Sequence, residues 1–80
     1  MSGFNLKIIS PEKALFDGEC DSLVFNASDG SYGIMRGHTP LTACVKAGKI
    51  KILSNGEERI IEIGNGILHF ENNNAIIITD

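Results

Sequence analysis

Apolar and polar residues alternate along most of the chain with a period of two, the signature of strands that bury one face. "FNLKII" (4–9) alternates in this way and ends at the turn "SPEK", "ALFDGE" (14–19) reads as a short strand, and "CDSLVFNA" (20–27) as a central one. A glycine-bearing loop follows. "LTACVK" (41–46) and "KIKILS" (49–54) are separated by Ala47 and Gly48, a tight connection with glycine where a positive φ is expected. Asn55-Gly56 then joins "KIKILS" to "EERIIEI", which is the strongest hairpin signal in the chain. "GNG" (64–66) turns the chain again, and "ILHF" (67–70) and "AIIIT" (75–79) flank the polar tip "ENNN". No segment supports a long helix. The spacing predicts about ten short strands. With no helix to cover a sheet, the apolar faces must cover each other, so residues 1–80 are expected to form a single all-β domain, a flattened antiparallel β-sandwich or barrel.

One stretch, "GIMRGHTPLTA" (33–43), carries more special residues than a connection needs. Gly33 and Gly37 permit positive φ, Pro40 fixes its own φ and biases Thr39 toward extended backbone, and the apolar pattern resumes at Leu41. The segment reads as a shaped loop. Within it His38 is held so that its imidazole can donate to a nearby carbonyl and lock the loop, or meet a partner.

Composition removes several classes of function. The net charge is −3 and the seven Lys and Arg are scattered, which excludes a general nucleic-acid binder. Lys49 and Lys51 share the solvated face of a strand. The apolar runs are far shorter than the roughly 20 residues of a membrane-spanning helix, and "MSGFNLK" enters a strand pattern without the features of a signal peptide. The two cysteines, Cys20 and Cys44, are expected as reduced thiols filling a core. A zinc site from Cys20, His38, Cys44 and His69 lacks any paired ligand spacing. His69, between Leu68 and Phe70, is expected on the opposite face from them, at a surface or interface. Gly30, Gly33 and Gly37 form no phosphate loop, because no Lys-Ser/Thr pair opens a helix there. Asp29, Glu57, Glu58 and Glu71 show no paired spacing for acid–base work. No catalytic residue, metal or cofactor is expected.

The motifs in their order carry more than any one of them. Phe16-Asp17-Gly18-Glu19, then Gly30-Ser31-Tyr32-Gly33-Ile34, then Gly37-His38-Thr39-Pro40-Leu41, followed by Gly48-Lys49-Ile50-Lys51-Ile52 and "GNGILHF", run across essentially the whole chain. In this order they closely resemble the epsilon subunit of bacterial and chloroplast rotary ATP synthases.

That resemblance implies a β-sandwich at the foot of the central stalk, packed on the gamma subunit and resting on the polar loops of the membrane c-ring. Its role is non-catalytic coupling of ion translocation to ATP synthesis. By resemblance, Asp29, Gly30, Ser31 and Tyr32 lie where the family touches the c-ring, and His38, Pro40, Leu41 and Thr42 lie near its gamma-facing side. The family often has an acidic residue in place of Ser31 and a proline in place of Arg36. Family members usually continue into an inhibitory helical hairpin; this sequence runs to Asp80, and residues 1–80 are expected to be the β-sandwich domain without that hairpin. The implied location is peripheral, on the cytoplasmic face of a bacterial inner membrane or the equivalent organellar side. An exposed apolar patch is expected where the partner sits, and with it a dimer in isolation. The alternative is a free-standing sandwich that binds a small molecule or carbohydrate through the 28–40 loop. Against it, Tyr32 is the one tyrosine and tryptophan is absent, which leaves no stacking platform for a sugar.

Overall fold

The structure, a computed structural model, describes residues 3–80. Nine strands follow one another without a helix among the described residues: β1 (Phe4–Ile9), β2 (Ala14–Cys20), β3 (Ser22–Ala27), β4 (Gly30–Met35), β5 (Leu41–Val45), β6 (Gly48–Ser54), β7 (Glu57–Ile63), β8 (Gly66–Glu71) and β9 (Asn74–Thr79). They form a five-stranded sheet in the order β2-β1-β9-β8-β5 and a four-stranded sheet in the order β4-β3-β6-β7. The two stack as the expected sandwich, and β3 is an inner strand of its sheet. All pairings are antiparallel except one. β1 and β9, from opposite ends of the chain, run parallel in the middle of the larger sheet.

The turns sit where left-handed backbone is cheapest. Asn55 (φ 53°) and Gly56 (φ 77°) close the β6–β7 hairpin, and Asn72 (φ 52°) and Asn73 (φ 56°) close the β8–β9 hairpin. Two successive positive φ values match the twist of the flanking strands, and asparagine tolerates them better than other residues with a side chain.

The largest departure from the sequence expectation concerns residues 28–40. Half of this supposed loop is strand β4, which pairs with β3 from Ser22↔Met35 to Ala27↔Gly30. The stretch 33–43 therefore contains the end of β4 and the start of β5, and the connection between the sheets shrinks to residues 36–40. Ile34 is the reason. It is fully buried between the sheets, and the ladder to β3 gives its neighbours' backbone groups partners. The two glycines and the exposed Ser31 and Tyr32 hide the alternation that would have marked the strand. Gly33 accordingly has no positive φ, while Gly37 does (83°).

Register stacks the core in rows. Leu6, Ala75, Phe70 and Leu41 are neighbours across four strands, and Ile8, Ile77, Leu68 and Ala43 form the next row. Phe4 and Phe70 meet edge to face with ring centroids 5.5 Å apart. Cys20 is buried as expected, but Cys44 is exposed. The parity of β5 decides this: Leu41, Ala43 and Val45 turn inward, so the residues between them face water.

Candidate partner-binding surfaces

The β3–β4 turn presents Asp29, Gly30, Ser31 and Tyr32, all exposed. Tyr32 pairs across the ladder with Phe25, and the two rings stack with centroids 5.9 Å apart and planes 19° apart. Because Phe25 is buried and β4 is an edge strand, the phenol stands at the rim of the sandwich on a fixed base. Its hydroxyl donates to Asp29 Oδ2 at 2.8 Å. That hydrogen bond, together with the carboxylate's charge, holds the Tyr32 phenol above its ordinary pKa, so it remains a donor. Ser31 Oγ donates to Asn26 Oδ1 at 3.0 Å.

The 36–40 connection is pinned at three points. Gly37 N–H donates to Asn73 Oδ1 at 2.8 Å, and His38 N–H donates to the Met35 carbonyl at 3.2 Å. The third is the lock expected from the sequence: His38 Nδ1 donates to the Thr39 carbonyl at 2.7 Å. The imidazole also stands edge-on to Phe70, 5.9 Å between centroids, which ties an exposed loop to the core. Pro40 is exposed and leads into β5.

On β5, Thr42 lies opposite His69 of β8. Thr42 Oγ1 and His69 Nδ1 are 2.9 Å apart, and His69 Nε2 is 3.2 Å from Glu71 Oε1. With the proton on Nε2 facing the carboxylate, the Thr42 hydroxyl donates to Nδ1. The order hydroxyl, imidazole, carboxylate is that of an activated nucleophile. Its setting is not, because the side chains of His69 and Glu71 are 51% and 58% exposed. β8 is also paired on both sides, so its N–H groups serve the ladders rather than a developing oxyanion. The three residues form a surface network on an open sheet.

Four of the singled-out residues converge. Asp29, Tyr32, Leu41 and Thr42 line one hollow of about 300 Å³, with Ala27, Ser28, Ala43 and Cys44 completing it. Gly30 and Ser31 belong to the adjoining turn, while His38 and Pro40 lie outside this lining. A second hollow, about 380 Å³, is lined by His69, Glu71, Asn72, Asn74, Ala75 and Ile76. Among the described residues no group of three or more His, Cys, Asp or Glu side chains gathers as a metal site, and no helix is long and apolar enough to cross a membrane.

Residue-level reading of the sequence missed an apolar stripe on the outer face of the larger sheet. Ile9 lies beside Ile78, Ile78 beside Ile67, and Ile67 beside Cys44. Ile67 and Ile78 are 55% and 59% exposed. The signal was present where alternation fails: Ile67 next to Leu68 and the run Ile76, Ile77, Ile78 place apolar residues on both faces. The smaller sheet also exposes Met35 and Ile60, but Lys51 and Glu58, paired at 3.6 Å, stand among them.

The family model for the ATP synthase delta/epsilon chain, β-sandwich domain, matches residues 3–80. The chain belongs to that family. The ATP synthase epsilon chain of Chlorobium limicola is 38% identical over 78 residues, which cover 96% of this chain and 89% of that one. The epsilon chain of Caldicellulosiruptor saccharolyticus is 35% identical over 80 residues, all of this chain but 58% of that one. The fold agrees with a chain of the Euglena gracilis mitochondrial ATP synthase cryo-EM structure (OSCP, F1 and c-ring, rotational state 1), with a TM-score of 0.90 at 15% identity over 96% of this chain and 50% of that one. It also agrees with a chain of the Tetrahymena thermophila mitochondrial ATP synthase central stalk and c-ring, with a TM-score of 0.80 at 13% identity over 94% of this epsilon-family chain and 61% of that one.

Proposed function

We propose that this chain is a non-catalytic central-stalk subunit of an F-type ATP synthase, linking the gamma subunit to the membrane c-ring and coupling ion translocation to ATP synthesis. The observation that carries the reading is the apolar stripe of half-buried Ile9 and exposed Ile78, Ile67 and Cys44 on the face of a closely packed sandwich. A rotor part needs stiffness and a broad contact more than it needs a reactive group, and an apolar sheet face exposed to water is stabilised by a partner. The stripe ends at Cys44 on β5, so the gamma subunit covers it together with Thr42 on the same outer face, and reaches half-buried Leu41 and exposed Pro40 and His38 at the head of the strand. Asp29, Gly30, Ser31 and Tyr32, at the β3–β4 turn, meet the c-ring. The chain is peripheral to the membrane, on the cytoplasmic face in a bacterium or the equivalent side of an organelle. No cofactor takes part.

Calorimetry with purified gamma subunit tests this. Wild type is expected to bind, and Ile67→Lys and Leu41→Ala to weaken binding at least tenfold, the scale of about 1.4 kcal/mol, with their β-sheet circular dichroism unchanged. Equal affinity of both folded variants, or no binding by the wild type, would remove the reading.

A further inference from the structure

We propose that Asn55-Gly56, at the tip of the β6–β7 hairpin, is a site of spontaneous covalent modification, where the chain deamidates through a cyclic imide and acquires an aspartyl or isoaspartyl residue beside Asp21. The site does not depend on the stalk reading.

The Gly56 backbone nitrogen attacks Asn55 Cγ, the bond from Cγ to Nδ2 breaks, and ammonia leaves with the proton of the Gly56 amide. Water then opens the five-membered imide. Cleavage at Cγ leaves an aspartate in the original chain, and cleavage at the α-carbonyl sends the main chain through Cγ as isoaspartate. Ammonia is released, one water is consumed, and nothing is oxidised or reduced. Glycine in the following position matters because it has no Cβ to crowd the closing ring.

Seven asparagines occur, and two of them precede glycine, Asn55 and Asn65. By sequence the two pairs are alike; the fold separates them. Asn65 Oδ1 accepts from Ala47 N–H at 2.9 Å, and its carbonyl accepts from Asp80 N–H at 3.1 Å and Thr79 Oγ1 at 3.2 Å. Gly66 lies in the β8 ladders, and a Cβ there would collide with the Ile78 carbonyl, so this backbone has no room to turn. Asn55 and Gly56 are exposed, and a Cβ at Gly56 would meet nothing within 4 Å. Among the described residues, neither the Asn55 carboxamide nor the Gly56 N–H has a hydrogen-bond partner. Outside the ladder one bond holds the tip, Asn55 N–H to Asp21 Oδ2 at 3.2 Å. Ring closure needs a local opening, which is cheap at an exposed hairpin tip and costly where three hydrogen bonds and a ladder must break.

The product forms in an acidic setting. Asp21 is hydrogen-bonded to the same residue, and Glu57 and Glu58 follow in the chain. A carboxylate in place of the carboxamide repels Asp21. Isoaspartate also lengthens the two-residue turn that sets the Ser54↔Glu57 register. The modification loosens the contact between the hairpin tip and Asp21, as a slow mark of the chain's age.

The test is peptide mapping by mass spectrometry of the chain aged at neutral pH, native and in urea. In the native chain the Asn55 peptide is expected to gain one mass unit at least tenfold faster than the Asn65 peptide, while in urea the two react at similar rates. Methyl uptake from S-adenosylmethionine, catalysed by an isoaspartyl carboxyl methyltransferase, is expected in the same peptide and is lost in Asn55→Gln. Equal native rates at the two sites, the same preference persisting in urea, or an unreacted Asn55 in the native chain when the urea-unfolded chain has reacted would overturn the inference. In a second arm, Asn55→Asp, which carries the aspartyl product, is compared with wild type by hydrogen exchange. Severalfold faster exchange of the Asp21 amide is expected, and equal exchange overturns the loosening.

Discussion

The two seams along which the sheets meet are built differently. Where β2 faces β6 and β7, the chain passes from one sheet to the other through Asp21 alone, and the joint is stitched by hydrogen bonds. Asp21 N–H donates to the Leu53 carbonyl at 2.7 Å, Ser54 Oγ to the Glu19 carbonyl at 3.1 Å, and Asn55 N–H to Asp21 Oδ2 at 3.2 Å. Beside them the Arg59 guanidinium covers the Phe16 ring at 5.4 Å. On the other side, Lys46 N–H donates to the Asn26 carbonyl at 2.8 Å, and next to that bond the hollow opens. Edge chemistry follows the same division. β2 and β7 carry Asp17, Glu19, Glu57, Glu58 and Glu62, whereas β4 and β5 carry no charge. Charges on an edge strand discourage pairing with other chains. One seam is closed by hydrogen bonds and edge charges, and the other is left bare.

The contrast breaks most directly at Phe70, which lies beside Leu41 at the open seam and anchors both Phe4 and His38. Phe70→Ala is expected to cost about 3–5 kcal/mol in denaturant unfolding, a large share of what an 80-residue domain has. A cost of less than about 1 kcal/mol would show that the open seam is not held by its aromatic anchor.

Next comes thiol chemistry. Exposed Cys44, on the open side, is expected to react with iodoacetamide on the order of a hundredfold faster than Cys20, so the native chain takes up one label and the unfolded chain two. Burial, with Asp21 and Glu19 beside it, pushes the Cys20 thiol up to about 11 from 9.0. A thiol whose folded pKa is raised stabilises the fold fully below its unfolded pKa, and that stability is lost as pH rises from about 9 toward 11. Cys20→Ser is expected to flatten this alkaline decline in melting temperature. Equal labelling of both cysteines would mean that the closed seam opens readily.

The smallest effects test the stitches themselves. Arg59→Ala and Ser54→Ala are each expected to cost about 0.5–1 kcal/mol and to speed amide exchange at Asp21 and Asn55. Faster exchange at residues 28–32 instead would invert the assignment of rigid and open sides.

Much of the fold was legible in the sequence, and the reasons are local. Alternation through "FNLKI" and Asn-Gly after "KIKILS" specify a strand and a hairpin without outside help. β4 was illegible because its one deeply buried residue, Ile34, sits among glycines and exposed polar residues, and its pairing partner lies in another strand. The candidate site was half legible. His38 as the lock of its loop follows from the loop's own chemistry, but that Asp29 and Tyr32 share a hollow with Leu41 and Thr42 depends on how the two sheets close over one another.

The amino-acid order by itself determined the β class, the two-layer solution, the turn positions and the absence of any clustered basic surface, because each depends on period, turn chemistry or charge within a few residues. Only the tertiary structure decided that the chain's two ends pair in parallel, that Cys44 faces water, that four apolar residues from four strands line up as one stripe, and that one seam stays open. Register and sheet stacking join residues far apart in the chain, and a one-residue slip of β1, β9, β8 or β5 would turn that strand's stripe residue inward.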